Sequence, residues 1–558
     1  MTLTLGPATP LAWSEPGRTT LEIHTGAWRG RRPVYVEAEA PCRLACPAGE
    51  SIARWIELAR QGNYAAAWAL IREDNPLPAV TGRVCAHPCE HACHRSAHDG
   101  AVAVNALERF VGDWGLEHGV VAPPRTPRPG RVAIVGGGPA GLACAAQLGT
   151  AGYAVTIFEA ERRLGGLLRH GIPEYRLPRA VLDREIELIL ALGIKVLTGA
   201  RLGATLTWND LGRYDAAFLG CGAGHSIALD VPAAAAPGIA NGLGFLRAVS
   251  AGQRPDVGAR VVVIGGGSTA MDVARTARRL GAPTVTVLAL EEHGAMPADP
   301  DEISQALAEG VTIVNRVGAR RFVGSNGVLS GVEVGPATLE QADNGSIVAR
   351  FDSGASRLIV ADTALLALGQ RVDLAPIEAH VPVAHGLVAV DAHGRVAPGL
   401  FAGGDVASRR RTVADAIGAG TRAARGIAAA LAGGGEGVSA SRPWAVSRPD
   451  LVVGDAEINH AHFPRARRLH RWERLPADRV RSFAEVQMPF GERAARAESA
   501  RCFTCGRCTS CDTCLAACPD VAIVRNGHGY RVATEYCKGC GLCAAECPRG
   551  ALRMVTDR

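Results

Sequence analysis

The sequence predicts an α/β core of two nested Rossmann-like domains, preceded by a cysteine-rich all-α region and followed by a cysteine-rich α+β region. Two glycine-rich turns, near residues 136 and 265, each follow a short apolar strand, the pattern that opens a nucleotide-binding fold. Of the 17 cysteines, all but Cys144 and Cys221 lie near the two ends of the chain.

Length and composition narrow the class of protein. The 558 residues correspond to roughly three to four domains, and 47% hydrophobic with 20% charged residues is typical of a soluble globular chain. The net charge of +6 is small, and no basic run is interleaved with aromatic residues, so nucleic-acid binding is not indicated. No apolar stretch approaches the about 20 residues of a membrane span, and the N-terminus lacks an export signal. We therefore expect a cytoplasmic protein whose cysteines bind metal rather than form disulfides.

The first glycine-rich turn follows a buried strand at residues 132–135. Gly136, Gly138 and Gly141 have the G-x-G-x-x-G spacing. The first glycine permits the tight turn, the second lets the backbone approach a pyrophosphate, and the third lets the next helix pack on the strand. The following strand ends in Glu159, which is placed to bind an adenosine ribose. Together these features predict a dinucleotide site rather than a plain βα turn.

A second glycine pair follows in the stretch R-L-G-G-L-L-R-H-G-I-P, residues 163–173. Gly165 and Gly166 suit close approach of the backbone to a ligand, and we expect Gly166, Leu167 and Arg169 to contact the same cofactor. A flavin-dependent dithiol reductase would carry a Cys-x4-Cys motif in this neighbourhood, and none is present. The sequence therefore predicts chemistry without a redox disulfide.

The second glycine-rich turn has Gly265 and Gly267, with Ala270 as the accepted variant in the third position. Its next strand runs into L-E-E-H, which contains Glu291 and Glu292 and no arginine. Either acid would bind a free ribose 2′-hydroxyl and repel a 2′-phosphate, so the sequence favours NADH over NADPH. The alternative is that both acids merely face solvent.

The chain then returns to the first fold. Residues 361–370 read as a strand ending in a turn, and the next buried strand has Gly404 and Asp405 at its tip. Asp405 is placed to bind a flavin ribityl hydroxyl. A helix that begins near Thr412 and Val413 would direct its N-terminus at negative charge on the reduced flavin.

The C-terminal region contains two runs of the form Cys-x2-Cys-x2-Cys-x3-Cys-Pro. The cysteines are Cys508, Cys511, Cys514 and Cys518 in the first run, and Cys537, Cys540, Cys543 and Cys547 in the second. This is the bacterial two-cluster ferredoxin pattern, in which the fourth cysteine of each run serves the other cluster. Zinc, the structural alternative, does not need eight thiolates in this order.

The N-terminal region has five cysteines among predicted helices. They are Cys42, Cys46, Cys85, Cys89 and Cys93, and the helices are predicted at residues 51–61, 64–73 and 101–114. Five thiolates cannot fill two clusters of four ligands. The interspersed histidines are expected to face solvent or support the site rather than bind metal.

Residues 30–435 resemble the small subunit of bacterial glutamate synthase and the N-terminal half of dihydropyrimidine dehydrogenase. The matching stretches include P-C-x3-C-P, G-R-V-C, G-G-G-P-A-G, G-G-G-S-T-A-M-D and F-A-G-G-D-V. The resemblance implies bound FAD, a site for NAD(P)H, and two [4Fe–4S] clusters in an N-terminal helical domain.

Two departures from this family are informative. The Cys-x2-Cys pair that normally precedes P-C-x3-C-P is absent, and R-C-F-T-C-G near the C-terminus resembles the missing pair. The resemblance then implies one cluster on Cys42, Cys93, Cys502 and Cys505, and a second on Cys46, Cys85, Cys89 and Glu108. With the ferredoxin runs, sixteen ligands serve four [4Fe–4S] clusters. The second departure is L-E-E-H, where NADPH-using relatives carry arginines.

These observations define the expected domains and partner. We expect a helical [4Fe–4S] domain at 1–125, an FAD-binding domain at 126–255 and 370–435, an NAD(H)-binding domain at 256–369, an extended linker at 436–500 and a ferredoxin-like domain at 501–558.

The ferredoxin tail and the segment T-G-A-W-R-G-R-R-P-V-Y, residues 25–35, are similar to flavoprotein subunits that accompany 2-oxoacid:ferredoxin oxidoreductases. The predicted role is therefore an electron-transfer subunit that reduces NAD⁺ with electrons from a thiamine-diphosphate-dependent partner. The alternatives are a glutamate synthase small subunit, a stand-alone NAD(P)H:ferredoxin oxidoreductase that uses free ferredoxin, and a non-catalytic scaffold or redox sensor. Two nucleotide sites and sixteen cluster ligands argue against the last.

Overall fold

The computed structural model describes residues 24–119, 126–233, 237–325, 328–341, 347–351, 356–432, 451–527 and 529–557. The described N-terminal part has a short 3-10 helix at Thr25–Trp28, one strand and seven α-helices: β1 Arg31–Tyr35, α1 Pro41–Ala45, α2 Ile52–Arg60, α3 Tyr64–Arg72, α4 Pro78–Val84, α5 Pro88–His91, α6 Ser96–Asp99 and α7 Val104–His118. The three predicted helices correspond to α2, α3 and α7. Their apolar faces, including Trp55, Ile56 and Leu107, form one core around the cysteines.

The first nucleotide domain begins with alternating strands and helices: β2 Arg131–Val135, α8 Pro139–Thr150, β3 Ala154–Glu159, α9 Leu167–His170, α10 Arg179–Leu190, β4 Lys195–Thr198, α11 Trp208–Leu211, β5 Ala216–Leu219 and β6 His225–Ser226. Strand β2 pairs in parallel with β3 and β5, and β3 pairs with β4. The apolar runs of β2 and β5 are buried because helices cover the sheet.

The second nucleotide domain contains β7 Ile239–Asn241, α12 Gly242–Ser250, β8 Arg260–Ile264, α13 Ser268–Arg279, β9 Thr284–Leu288, α14 Pro300–Ala308, β10 Val311–Val314, β11 Val317–Ser325, β12 Val328–Gln341, β13 Ile347–Phe351, β14 Arg357–Val360 and β15 Thr363–Leu366. Five of these strands form a parallel sheet in the order β10-β9-β8-β15-β7. Strands β11 to β14 form an antiparallel sheet, which is not among the features predicted from the sequence.

The boundary between the two nucleotide domains differs from the prediction. Strand β7 and helix α12, which the predicted limit at residue 255 assigns to the first domain, belong to the second sheet and its core. Strand β15 lies in the second sheet, which agrees with the predicted domain limit at residue 369 but not with the placing of residues 361–370 at the return to the first fold. Strand pairing decides membership here, and short apolar strands do not reveal their partners.

The chain returns to the first domain through β16 Gln370–Arg371, β17 Val383–Ala384, β18 Leu387–Val388, β19 Arg395–Ala397, β20 Leu400–Ala402 and α15 Val413–Leu431. The completed sheet has the order β19-β20-β5-β2-β3-β4, with β20 parallel to β5. Helix α15 packs along α8, so the first domain is built from two separate parts of the chain.

The C-terminal part contains α16 Pro476–Arg479, α17 Glu492–Ser499, α18 Thr513–Ala517, β21 Ile523–Asn526, β22 Gly529–Val532, α19 Leu542–Ala545 and β23 Leu552–Thr556. Residues 451–491 wrap over the body: Arg95 donates to Pro464 O, Arg109 donates to Gln487 O, and Val486 N donates to Tyr175 O. Helix α17, inside the predicted extended linker, packs on α2 and α7.

Two strands from opposite parts of the described chain pair with each other. Strand β1 pairs antiparallel with β23 along its full length, with Arg31 opposite Thr556 and Tyr35 opposite Leu552. The N-terminal strand β1 is thus part of the C-terminal domain. Taken together, the two nucleotide-binding sheets, the N-terminal helices and the C-terminal domain confirm the predicted fold class. None of the described helices is long and apolar enough to cross a membrane.

Candidate functional site

A large cavity of about 1490 Å³ lies between the two nucleotide domains. Many of the predicted cofactor residues line it: Gly136, Gly138, Glu159, Gly166, Leu167, Gly265, Gly267, Glu291, Asp405 and Val413. The carboxyl ends of the central strands of both sheets open into this space, as expected for ligand binding in parallel α/β folds.

The first glycine turn leaves space only on its cavity side. Gly136 has a φ of +101°, and a Cβ there would overlap Gly220 O. A Cβ on Gly141 would overlap Gly136 O, so this glycine lets α8 pack against the turn. A Cβ on Gly138 would meet only Gly166 Cα, at 3.9 Å. The backbone at Gly138 is thus open to a pyrophosphate, and the helix N-terminus faces it.

Glu159 is held in place at the end of β3. Its carboxylate accepts hydrogen bonds from the N–H groups of Gly137, at 2.7 Å, and Glu161, at 2.8 Å. The side chain is buried, yet a carboxylate has about four lone-pair sites, so it retains acceptors for a ribose diol.

Asp405 and the start of α15 form the other side of the first site. Burial raises the pKa of Asp405 to about 6, while Arg411 opposes the shift. The side chain of Thr412 caps α15 by accepting a hydrogen bond from Asp415 N at 3.1 Å. The N-terminus of this helix therefore opens into the cavity beside Val413, where it can stabilise negative charge.

Five predicted cofactor residues do not line the cavity, and four of them have a structural role instead. Arg169 donates to Leu164 O and pairs with Asp183, so its guanidinium secures the glycine loop instead of facing a ligand. Gly404 has a φ of +76° and packs against Ala140. Gly141 and Ala270 serve helix packing, because each lies buried in the first turn of its helix.

The second glycine turn repeats the geometry of the first. Gly265 has a φ of +137°, and Gly267 faces open space. Glu291 lines the cavity, and its carboxylate lies beside Gly266 as the carboxylate of Glu159 lies beside Gly137. Among the described residues, Glu291 Oε2 is buried and has no hydrogen-bond partner. Such an orphaned acceptor is costly unless a ligand satisfies it, so the site fits a ribose hydroxyl.

Glu292 differs from Glu291. It does not line the cavity and instead forms an ion pair with Arg316, with both side chains more than half exposed. Of the two acids, only Glu291 is therefore placed to bind the ribose. Because side chains of neighbouring residues point in different directions, the sequence could not distinguish the two.

The arginines of α13 are fixed away from the cavity. Arg275 and Arg279 both bind Glu309, with all three side chains fully buried. Both guanidinium groups also lie over the ring of Tyr175. Arg278 donates to the carbonyl oxygens of Ala282 and Glu309. None is free to approach a coenzyme phosphate without breaking these contacts.

One group of four cysteines joins the two ends of the chain. Burial, followed by the charges of Cys502, Cys505 and Cys93, raises the pKa of the Cys42 thiol. Cys93 is likewise a neighbour of Cys502 and Cys505. The structure therefore brings together the four thiols that the family resemblance joins in one cluster.

A second group contains three cysteines and two carboxyl groups. Burial, then Glu50, Cys85 and Glu108, raises the pKa of Cys46, and Cys89 lies beside Cys46 and Cys85. Burial raises the pKa of Glu50 to about 7, and burial together with the Glu50 charge raises that of Glu108.

The two carboxyl groups share one hydrogen-bond donor. Asn75 Nδ2 donates to Glu50 and Glu108, each at 2.9 Å, and Thr81 also donates to Glu108. Sequence reasoning missed Glu50, because nothing in P-A-G-E-S marks it as a neighbour of Glu108.

This second group adjoins the cavity. Val84 and Ala86, on either side of Cys85, line the cavity, as does His91. The turn that follows Cys46 also contacts α15, the helix on the side of the proposed flavin site, since Arg422 of α15 donates to Pro47 O. A cluster bound by this group would therefore lie next to the cavity and could accept electrons directly from a cofactor bound there.

The C-terminal cysteines form two further groups with exchanged fourth members. Cys508, Cys511 and Cys547 surround Cys514, whereas Cys518, Cys537 and Cys540 surround Cys543. Tyr35 of β1 lies within 3.2 Å of Cys514 Sγ. The spatial arrangement thus has the crossed pattern of a two-cluster ferredoxin.

These donor sets fit iron–sulfur clusters. Each of three groups has four thiols, and the fourth group has three thiols with carboxyl groups beside them. Bound iron would stabilise the thiolate forms of these ligands. Within the described ranges, no three His, Cys, Asp or Glu side chains converge on a single metal ion. A four-iron cluster holds its ligands further apart than one ion does.

The comparison with known proteins agrees with this geometry. The pattern of pyridine nucleotide-disulphide oxidoreductases matches residues 130–420, which is more than half of the chain. The chain belongs to the pyridine nucleotide-disulphide oxidoreductase family. Two cluster-binding patterns flank this match: dihydropyrimidine dehydrogenase domain II, 4Fe-4S cluster, at residues 30–120, and 4Fe-4S binding domain at residues 530–553.

Three relatives of this family are similar over most of their length. The chain is 35% identical to the beta subunit of NADP(+)-dependent formate dehydrogenase from Moorella thermoacetica, over 84% of this chain and 70% of that protein. It is 33% identical to the small chain of Escherichia coli glutamate synthase [NADPH], over 69% and 87%. It is 33% identical to the Salmonella typhimurium NAD-dependent dihydropyrimidine dehydrogenase subunit PreT, over 70% and 90%.

The family member described here is an FAD- and iron–sulfur-dependent NAD(P)H oxidoreductase that acts as an electron-transfer subunit with a protein partner. All 17 cysteines are free, and Cys144 and Cys221 stand apart from the four groups. The described residues therefore contain no redox disulfide, in contrast to what the family's name suggests.

Proposed function

We propose that this subunit exchanges electrons between NAD(H) and a partner through FAD and four [4Fe–4S] clusters. The observation that carries the proposal is the succession of sites. The cavity adjoins the group of Cys46 and Cys85, and this group adjoins that of Cys42 and Cys502. From Cys505 the chain reaches Cys508 within three residues.

The protein's own residues would bind and orient FAD and would separate the clusters from water. Glu159, Gly138 and the N-terminus of α8 would hold the adenosine and pyrophosphate of FAD, and Asp405 its ribityl chain. FAD, when bound, converts between hydride and single-electron transfer, which iron–sulfur clusters require. The start of α15 would stabilise the anionic reduced ring, and the apolar cores around the cysteines would keep water away.

For the partner we propose a thiamine-diphosphate-dependent 2-oxoacid:ferredoxin oxidoreductase that delivers electrons for NAD⁺ reduction. The support is the fused ferredoxin domain together with residues 25–35, which pack on it through β1 and through Arg29 donating to Thr534 O. A glutamate synthase small subunit remains the second candidate, favoured by the similarity to the Escherichia coli small chain.

Purification of the affinity-tagged chain from its native host tests this partner. We expect thiamine diphosphate and 2-oxoacid oxidoreductase subunits in the complex, and NAD⁺ reduction that depends on added 2-oxoacid. FMN with glutaminase activity in the complex would support the glutamate synthase candidate instead. Isolation of an active chain without any partner would contradict both.

We further propose a preference for NADH, set by Glu291. A 2′-phosphate carries almost two negative charges, and each unit pair at ~4 Å costs about 4 kcal/mol at an effective dielectric of 20, before screening. We expect kcat/KM for NADH to exceed that for NADPH at least tenfold, and Glu291→Ala to narrow the ratio. Steady-state kinetics with ferricyanide measures both values. Equal or better use of NADPH by the unmodified protein would contradict the assignment.

A further inference from the structure

The ion pair between Glu292 and Arg316 has no part in the proposed function, yet it lies at the edge of the second nucleotide site. The N–H of Arg316 donates to the carbonyl oxygen of Glu291 at 3.3 Å. Asn315 Nδ2 donates to the same oxygen at 2.9 Å. The arginine is therefore anchored, through its backbone, to the acid that lines the cavity.

The backbone at Arg316 is held in one conformation. Its φ is +57°, which is uncommon for a residue with a long side chain, and its carbonyl oxygen accepts a hydrogen bond from Ala337 N at 2.9 Å. The next two residues, Val317 and Gly318, line the cavity. Because the N–H and the carbonyl oxygen of Arg316 are both hydrogen-bonded, only its guanidinium group can change partners.

We propose that Glu292 determines coenzyme specificity by holding Arg316 away from the coenzyme's 2′ position. This inference rests on the proposed preference for NADH. Glu291 repels a 2′-phosphate directly, whereas Glu292 occupies the cation that could otherwise neutralise one. An arginine guanidinium matches phosphate geometry through paired N–H donors, so a released Arg316 is a suitable phosphate ligand.

Glu292 and a 2′-phosphate would compete for the guanidinium of Arg316, and one substitution at Glu292 should decide this competition. Both side chains are more than half exposed, so solvent and salt weaken their attraction. The helix arginines cannot replace Arg316, because Arg275 and Arg279 are fully buried on Glu309. Removal of Glu292 thus frees one cation and also removes one negative charge near the site.

Equilibrium binding to the FAD-loaded full chain tests the proposal, with NADP⁺ and NAD⁺ as probes and calorimetry as the readout. We expect Glu292→Ala to lower the Kd of NADP⁺ about tenfold, the lower range for a charge-assisted hydrogen bond at an exposed site. The Kd of NAD⁺ should change less than twofold. The gain should also fall steeply with added salt.

Two further variants separate the mechanism from a general charge effect. In Glu292→Ala combined with Arg316→Ala, the gain for NADP⁺ should disappear. Glu333→Ala is the matched control, since Glu333 pairs with Arg321 on the same domain and does not line the cavity. The proposal is overturned if Glu292→Ala leaves the NADP⁺ affinity unchanged, if the double variant keeps the gain, or if Glu333→Ala reproduces it. A wild-type protein that binds NADP⁺ more tightly than NAD⁺ would instead contradict the NADH preference.

Discussion

Substitution of Cys502 and Cys505 by alanine will remove one N-terminal cluster, although both residues lie more than 400 positions from Cys42 and Cys93. Iron content of anaerobically purified protein should fall from about sixteen to about twelve per chain, since each cluster holds four irons. The reason is spatial: the four thiols are neighbours although two of them come from the other end of the chain, and burial raises the pKa of Cys502 to about 11. Two remaining thiols cannot hold a cluster.

The matched control is Cys144→Ala. Cys144 is fully buried in α8 and belongs to none of the four groups, so its loss should leave the iron content unchanged. Electron paramagnetic resonance of the reduced double variant should lack one cluster signal while the ferredoxin-domain signals persist. Unchanged iron in the double variant would contradict the assignment, and about eight irons in the wild type would contradict both N-terminal clusters.

Gly141→Ala will sharply reduce FAD content and lower the stability of the first nucleotide domain. The new Cβ on α8 would overlap Gly136 O, a backbone atom of the short turn that joins strand β2 to helix α8. Overpacking of this kind costs about 3 kcal/mol, which corresponds to a fall in Tm of about 6–12 °C. Flavin absorbance of the purified protein and a thermal melt measure the two effects.

Two other glycines provide the comparison. Gly138→Ala adds its Cβ to open cavity space, so we expect weaker FAD binding with a nearly normal Tm of the apoprotein. Gly294→Ala has no atom within 4 Å of its added Cβ and should alter neither property. A Gly141→Ala protein with full flavin content and unchanged Tm would show that the turn can relax, against the packing seen here.

The sequence alone predicted the local nucleotide and cluster motifs. The spacing of Gly136, Gly138 and Gly141 has a direct steric meaning, and the cysteine runs near residues 508 and 537 have a ligand order that few other structures require. These signals are local, because a turn, a strand or a cluster loop needs only a few adjacent residues. For the same reason the spacing of apolar residues was enough to predict helices α2, α3 and α7.

Tertiary structure decided the contacts between residues far apart in the chain. The pairing of β1 with β23, the place of β7 and β15 in the second sheet, and the position of Glu50 beside Glu108 all depend on packing. So does the difference between Glu291, which faces the cavity, and Glu292, which faces Arg316. Hydrophobic periodicity shows that a strand or side chain is buried, but the partner it is buried against follows only when the whole chain has folded.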